Sequence, residues 1–200
     1  MAIVHPEGWR ELAASGAAGR EIETLARLAD GLSDDYTVFH GVHWTRVRNG
    51  GFAIVGEIDF AIVGPTGKLL LIEQKSGFLA ETPEGLVKRY AKKDKSVPQQ
   101  LARSVDALSH RLRAVCGDDP VFVDALLFCP DYVVKQPGTA GLDPARIVDA
   151  TNRQYLLEII RAILPAHGER LPSRPKVERF LGDVLQLVPE VHAVVGEAHA

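Results

Sequence analysis

Hydrophobic residues recur at spacings of three and four in several stretches of the chain. Near the N-terminus, Ile22, Leu25 and Leu28 fall on one face of a helix that ends at Gly31. Apolar side chains at this period form the buried face of an amphipathic helix. The pattern predicts a first helix over residues 17–32, a second over 98–116, and two more over 151–164 and 176–187.

Other stretches are rich in β-branched and aromatic residues, which is typical of strands. They cover residues 36–47, with a bend at Gly41, and then 52–63, 68–75 and 121–128. Turn signals at 49–51 and 64–67 separate the first three, and the second turn makes an antiparallel hairpin. The apolar run of the fourth predicts a strand buried on both faces, whereas residues 78–97 are expected to form a long irregular loop. The order of helix, three strands, helix, strand and further helices predicts an α/β or α+β sandwich.

The composition is that of one soluble globular domain. The chain has 200 residues, of which 46% are hydrophobic and 24% charged, so it can bury a sizeable core. The longest apolar runs fall far short of the ~18–20 residues that a membrane-spanning helix needs, and the N-terminus has no signal-peptide pattern. We therefore expect a cytoplasmic protein with no membrane contact. Cys116 and Cys129 lie in apolar surroundings and are expected to be reduced core thiols.

Charged residues interrupt the apolar pattern of the second and third strands. Period two places Glu57, Asp59 and Ala61 on one face of the second strand, and it places Glu73 and Lys75 on one face at the end of the third. Because a short turn joins the two strands, Asp59 and Glu73 can face each other. Two buried carboxylates repel unless a cation neutralises them, and oxygen donors suit Mg²⁺. The alternative is a cross-strand ion pair with no function.

A divalent ion between these two carboxylates would allow the site to catalyse hydrolysis. The main-chain carbonyl of Gln74, between the two side chains, is a further candidate ligand. Lys75 is then expected to orient or help deprotonate a metal-bound water, the nucleophile for phosphodiester hydrolysis.

The combination of Gly56-Glu57-Ile58-Asp59, a hairpin turn, an apolar strand and Glu73-x-Lys75 resembles the PD-(D/E)xK nuclease superfamily. Within it, the chain is similar to the nuclease-related domain (NERD) family over residues 16–130. The other matching pieces are Gly19-Arg20-Glu21, Asp34-Asp35-Tyr36-Thr37-Val38, Gly64-Pro65-Thr66-Gly67 and Pro98-Gln99-Gln100-Leu101.

The resemblance implies a restriction-endonuclease-like core, with Asp59 and Glu73 as ligands of Mg²⁺ or Mn²⁺ and Lys75 as the catalytic lysine. It also implies a catalytic acid on the first helix and a glutamine near the start of the second. Glu21 fits the acid best by its distance from residues 34–36, with Glu23 as the alternative. Gln100 is favoured over Gln99 by its position in the family pattern.

A basic stretch is hidden by the overall charge of −3. Residues 88–113 contain eight basic and two acidic residues, a net charge of +6, so the rest of the chain carries −9. A loop of this kind attracts a phosphodiester backbone without reading its sequence. The residues predicted to contact nucleic acid are Lys88, Arg89, Lys92, Lys93 and Lys95, with Tyr90 as a base or sugar contact. The alternative is a solvated charged loop.

Two histidines near the bend of the first strand are interpreted as structural. His40 and His43 are three positions apart in an extended segment, so they are expected on opposite faces.

Three functions follow from these patterns. The first is a Mg²⁺- or Mn²⁺-dependent nuclease acting on DNA, with RNA left open as a substrate. The second is a noncatalytic nucleic-acid-binding accessory domain that keeps the nuclease fold, and the third is a pure interaction domain. Residues 1–150 are predicted to be the nuclease-like core and 151–200 a helical extension. The resemblance further implies a covalently linked helicase-type domain, with a role in DNA repair, in a longer polypeptide.

Overall fold

A six-stranded mixed sheet forms the centre of the structure, a computed structural model that describes residues 1–11, 16–47, 53–91 and 94–186. In chain order, the strands of these residues are β1 (Ile3–His5), β2 (Thr37–Val47), β3 (Ala53–Val63), β4 (Leu69–Gln74), β5 (Ala80–Thr82), β6 (Gly85–Lys88), β7 (Lys95–Ser96), β8 (Val123–Cys129) and β9 (Ile147–Asp149). The central sheet has the order β1-β2-β3-β4-β8-β9. Its middle strands β2, β3 and β4 pair antiparallel, and β1, β8 and β9 add in parallel.

Helices cover both faces of this sheet. They are α1 (Gly16–Gly31), α2 (Val97–Cys116), α3 (Leu156–Ile163) and α4 (Arg174–Gln186). On one face, Leu28 of α1 and Ile160 of α3 pack in a cluster with Ile72 of β4. On the other face, Leu108 of α2 packs in a cluster with Leu71, the neighbour of Ile72, and α4 joins the same cluster. Because β4 is covered on both sides, all six of its residues are buried, and this explains the apolar run over its first four positions.

The predicted order of helix, three strands, helix and strand is confirmed, as is the mixed α/β fold. Most boundaries agree within a few residues. The third helix begins at Leu156 rather than at residue 151, because Arg153–Tyr155 form a 3₁₀ turn before it. The predicted turn at residues 49–51, the first residue of the second predicted strand and Leu187 lie outside the described residues.

Short strands account for the main differences from the predicted fold. The predicted irregular loop at 78–97 is wrong, because β5, β6 and β7 form a small antiparallel sheet there. At the edges of the central sheet, β1 and β9 were also not predicted. Strands of two to four residues are too short to show a period in the sequence, so pairing with neighbouring segments defines them.

Both cysteines are free and buried, as predicted. Burial raises the pKa of Cys129 to about 12, which keeps its thiol protonated and unreactive. Among the described residues, no helix combines the length and the apolar character needed to cross a membrane.

Candidate active site

The candidate acidic residues lie where β3 and β4 separate. The pairing of the two strands ends at Phe60 with Ile72, so Asp59 and Glu73 occupy the next position along the two strands. There the main-chain N–H of Gln74 donates to Asp59 Oδ2 at 2.6 Å. The Asp59 carboxylate thus links β3 to β4 just beyond the last backbone pair of the two strands, at the position where the sequence predicts that Asp59 and Glu73 face each other.

A bend in the hairpin helps to place Asp59. Ile58 and Ala61 pack in the same cluster on the α2 side of the sheet although they are three positions apart, while Phe60 packs on the α1 side. The alternation therefore changes at Asp59, and the regular alternation predicted for this strand is wrong at this point. By the register of β2 and β3, Gly41 lies opposite, with a φ of +68°, in the left-handed region that favours glycine.

The same bend changes the positions of the two histidines. Two residues of β2, one on each side of Gly41, both pack on the α2 side of the sheet although they are three positions apart. Each of them is followed directly by a histidine, so His40 and His43 both lie on the other side. Their predicted placement on opposite faces is wrong. Each ring has an acidic neighbour: His40 Nε2 lies 3.3 Å from Glu21 Oε2, and His43 Nε2 lies 3.4 Å from Glu57 Oε1.

Glu73 is the most deeply buried acid of the site, with 1% of its surface exposed. Its Oε1 accepts hydrogen bonds from Lys75 Nζ and from Gln100 Nε2, the latter at 2.6 Å. Its Oε2 is buried, and no described residue donates to it; the same holds for Gln100 Oε1 as an acceptor. Buried oxygens without a donor are costly, so the site is suited to a cation or a polar ligand at this point.

The start of α2 determines which glutamine reaches Glu73. The Ser96 side chain caps the helix by accepting from the N–H of Gln99, and Pro98 lies in the first turn. This start turns Gln100 toward β4 and leaves Gln99 exposed. The structure thus brings Gln100, rather than Gln99, into contact with a predicted metal ligand.

The two acids of α1 face different surroundings. Glu21 is close enough to Asp59 and Glu73 for its charge to raise the pKa of both carboxyl groups. Glu23 lines a separate cleft with Arg20 and Arg27. The geometry therefore groups Glu21, and not Glu23, with the candidate site.

Burial and the neighbouring charges together determine the protonation of these groups. Burial, followed by the neighbouring carboxylates of Glu73 and Glu21, raises the pKa of Asp59 to about 8. Burial also raises the pKa of Glu73, against the opposing effect of the Lys75 ammonium. For Lys75 itself, burial acts to lower the pKa, but the Glu73 and Asp59 carboxylates outweigh it and the pKa is raised. A carboxyl group that keeps its proton until about pH 8 and a charged lysine therefore lie side by side.

An open cleft of about 500 Å³ leads to these residues from the surface. The ends of β3 and β4, the strand β7 and the first turns of α2 line it, and they bring Lys95 and Arg103 to its wall. Asp94 lies in the same wall. The cleft is large enough for a phosphate group with its neighbouring sugar, and two of its cations can contact such an anion.

The predicted nucleic-acid contacts have different environments. Lys88 donates to the main-chain carbonyls of residues 76 and 78, at 2.6 and 3.1 Å, so it also anchors the segment that follows β4. Arg89 is exposed, and Lys95 lines the cleft. Lys92 and Lys93 lie outside the described residues.

Sequence reasoning missed the side chain that joins the hairpin to α2. Trp44 in β2 pairs with Gly56 in β3, and its indole ring occupies the space where a side chain on Gly56 would lie. The indole N–H donates to Ser104 of α2 at 3.2 Å. A tryptophan paired with glycine in a hairpin was the available signal, but it requires the register to be known.

The donor set fits a hard divalent cation. Carboxylate oxygens of Asp59 and Glu73 are present, and the Glu73 Oε2 atom has no donor among the described residues. Across the described part of the chain, no cluster of three or more histidine, cysteine, aspartate or glutamate side chains is arranged to hold a metal. Mg²⁺ commonly binds proteins through only one or two carboxylates and completes its shell with water and phosphate, so this finding is compatible with it.

Comparison with known proteins identifies the family. The model of the nuclease-related domain (NERD) matches residues 15–130, more than half of the chain and all of the site described above. No curated protein and no solved structure gives a significant match.

Proposed function

The chain belongs to the nuclease-related domain family, and on this premise we propose that it is a Mg²⁺- or Mn²⁺-dependent nuclease that hydrolyses phosphodiester bonds in DNA. The observation that carries the proposal is the buried carboxylate of Glu73. Two donors hold its Oε1, while no donor from the described chain reaches its Oε2, and Asp59 lies beside it. A buried carboxylate oxygen that has no hydrogen-bond donor is stabilised by a cation.

Each residue of the site has a distinct part in this proposal. Asp59 and Glu73 would hold the ion, with the Gln74 carbonyl as a further ligand, while the hydrogen bond from Gln100 orients Glu73. A divalent ion held there would lower the pKa of water and would stabilise negative charge on the phosphate.

Lys75 acts as an ammonium group. Because its pKa is raised by Glu73 and Asp59, it is suited to orient the nucleophile and to stabilise the negative charge of the phosphate, rather than to accept a proton. Glu21, placed by His40, adds negative charge at the rim of the same cluster. Lys95 and Arg103 receive the substrate backbone in the cleft.

A cleavage assay with matched variants tests this function. Supercoiled plasmid and linear single-stranded DNA are incubated with Mg²⁺, Mn²⁺ or EDTA. The wild type is expected to cleave only with metal, and Glu73→Gln and Lys75→Met are each expected to lower the rate by at least about 100-fold. Asp183→Asn, which removes an exposed carboxylate on α4, serves as the control. Cleavage that persists in both site variants contradicts the assignment.

The alternative is a noncatalytic accessory domain that binds nucleic acid. It is favoured by the lack of a cluster of three metal-ligating side chains in the described residues. It predicts salt-dependent DNA binding that weakens when Lys95 and Arg103 are replaced by alanine, with no turnover under any metal. Calorimetry with Mn²⁺ separates the two functions, because only the nuclease requires an ion at Asp59 and Glu73.

The wider setting is proposed on the sequence alone. A linked helicase-type domain, a role in DNA repair and a cytoplasmic location remain predictions, as do the division into residues 1–150 and 151–200 and the choice of DNA over RNA.

A further inference from the structure

Two aromatic rings are exposed on the segments that follow β4, the strand that contains Glu73. Phe78 lies three residues after Lys75 and is 72% exposed, and Tyr90, in the segment between β6 and β7, is 46% exposed. A single exposed aromatic ring is common on protein surfaces. Two of them, each close to basic side chains at one side of a proposed nuclease cleft, require a more specific explanation.

Phe78 is held in place while much of its ring surface is exposed. Its ring packs edge-to-face on Tyr132, with centroids 5.3 Å apart. Its carbonyl accepts a hydrogen bond from Lys88 at 3.1 Å. Both contacts tie Phe78 to the small sheet and to the loop after β8, so the ring is presented in a defined orientation and loses little freedom on binding.

The groove beside Phe78 is basic at two points. It has a volume of about 720 Å³, and Arg89 and Lys135 line it together with Phe78. One acid, Glu81, also lines it, but the Tyr132 hydroxyl and the main-chain N–H groups of Lys135 and Gln136 donate to its carboxylate at 2.7, 2.9 and 2.8 Å. These three donors offset part of the negative charge that Glu81 presents to an anion.

Tyr90 links this groove to the cleft. The Lys95 ammonium lies 5.2 Å from the centre of its ring, and Lys95 also lines the cleft that contains Asp59 and Glu73. Tyr90 also lies close enough to Lys75 to contribute to the raised pKa of that lysine. Arg89, the neighbour of Tyr90, lines the groove beside Phe78. The surface from Phe78 through Arg89 and Tyr90 to Lys95 is therefore continuous with the proposed catalytic centre.

We propose that this surface, the aromatic path, binds single-stranded nucleic acid, with one base stacked on Phe78, another on Tyr90, and the phosphates between them held by Arg89, Lys95 and Lys135. The proposal rests on the proposed function only for its direction toward Lys75. Bases in a duplex stack on each other and leave no face for a side chain, whereas a single strand offers each base to an aromatic ring. The substrate class assigned to the site is thus a single strand or an unpaired end.

Binding measured without catalysis tests the aromatic path. Fluorescence anisotropy is recorded in EDTA with a labelled 12-nucleotide single strand, the matching duplex, and a 12-nucleotide strand of abasic sites. Phe78→Ala and Tyr90→Ala are each expected to weaken single-strand binding by about 5- to 150-fold, the range for one stacked base. Tyr90→Leu is expected to lose nearly as much, while Tyr90→Phe retains binding within about twofold because it keeps the ring.

Phe122 provides a matched control at the other end of β4. Its ring is 54% exposed and lies 5.8 Å from the Lys68 ammonium, so it repeats the local chemistry of Tyr90 away from the cleft. Phe122→Ala is expected to leave binding unchanged. Thermal melting of each variant identifies loss of binding caused by unfolding. If an alanine variant unfolds, the comparison of Tyr90→Phe with Tyr90→Leu shows whether binding requires the aromatic ring.

Three results overturn the proposal: unchanged single-strand binding in folded Phe78→Ala and Tyr90→Ala proteins, duplex binding as tight as single-strand binding, or abasic strands that bind as well as normal ones. These outcomes are independent of the nuclease assignment, because the assay contains no metal. A protein that binds single strands through the aromatic path and does not cleave them supports the path and rejects the nuclease. A protein that cleaves DNA but shows any of the three results rejects the path alone.

Discussion

Replacing Asp59 by asparagine is expected to stabilise the metal-free protein. Burial and the neighbouring carboxylates raise the pKa of Asp59 from 3.8 to about 8, so the folded protein carries a proton there at pH 7 while the unfolded chain does not. Asparagine keeps the shape and the acceptor for the Gln74 N–H but ionises in neither state. The cost of protonating the carboxyl on folding is therefore removed.

The size of the effect follows from the pKa difference. Between the unfolded pKa of 3.8 and pH 7 lie about three pH units, and each is equivalent to about 1.4 kcal/mol, which gives about 4 kcal/mol at pH 7. The sign is fixed by linkage. A carboxyl whose pKa is raised by folding contributes stability below about pH 4, and this contribution is lost as the pH rises toward 8. The advantage of Asp59→Asn should thus grow from near zero at pH 4 and level off near pH 8.

Urea unfolding followed by circular dichroism in EDTA measures this difference at pH 5, 6, 7 and 8. Asp183→Asn, at an exposed position on α4, should differ from wild type by a small amount that does not grow with pH. Adding Mn²⁺ at pH 8 should raise the unfolding midpoint of the wild type and leave that of Asp59→Asn nearly unchanged. Parallel pH curves for wild type and Asp59→Asn would refute the reasoning, because they would mean that Asp59 ionises as freely in the fold as in water.

Two further substitutions test the supports of the site. Gln100→Leu removes the donor to Glu73 Oε1, and we expect metal affinity measured by calorimetry to fall about 10-fold or more; Gln99→Leu, at the exposed neighbour, should have no effect. Gly41→Ala forces a side chain into the left-handed region at a φ of +68°, so we expect a loss of about 1–2 kcal/mol in urea unfolding. An unchanged stability would show that the strand bends equally well without glycine.

Much of the geometry of the candidate site was predictable because its residues are close in sequence. Glu73 and Lys75 lie two positions apart at the end of an apolar strand, and the short turn before it limits where Asp59 can lie. Spacing and the family pattern favoured Glu21 over Glu23 and Gln100 over Gln99, but they could not show the contacts of these side chains, since those depend on how each helix is rotated against the sheet. In the structure, Glu21 is distinguished by its contact with His40, and Gln100 by its hydrogen bond to Glu73.

The features that the sequence pattern did not predict depend on irregular backbone and on very short strands. A single left-handed residue at Gly41 places His40 and His43 on the same side of the sheet, whereas a period of two separates residues three positions apart. Likewise, β5, β6 and β7 are too short to show a period, so the sequence pattern predicts a loop where the structure has a small sheet. That sheet gives the basic stretch its shape. Lys88, predicted from charge alone as a nucleic-acid contact, donates to two carbonyls and so orders the segment that carries Phe78.

The structure also favours one of the two roles predicted for Lys75. A lysine that deprotonates water must first lose its own proton, and burial without a partner would lower its pKa in that direction. Here Glu73 accepts a hydrogen bond from Lys75 and Asp59 adds a second negative charge nearby, and together they raise its pKa. Lys75 is therefore a fixed cation beside the position proposed for the phosphate. An ammonium in that place would stabilise charge that develops during the proposed hydrolysis, and in this proposal another group takes the proton of the nucleophile.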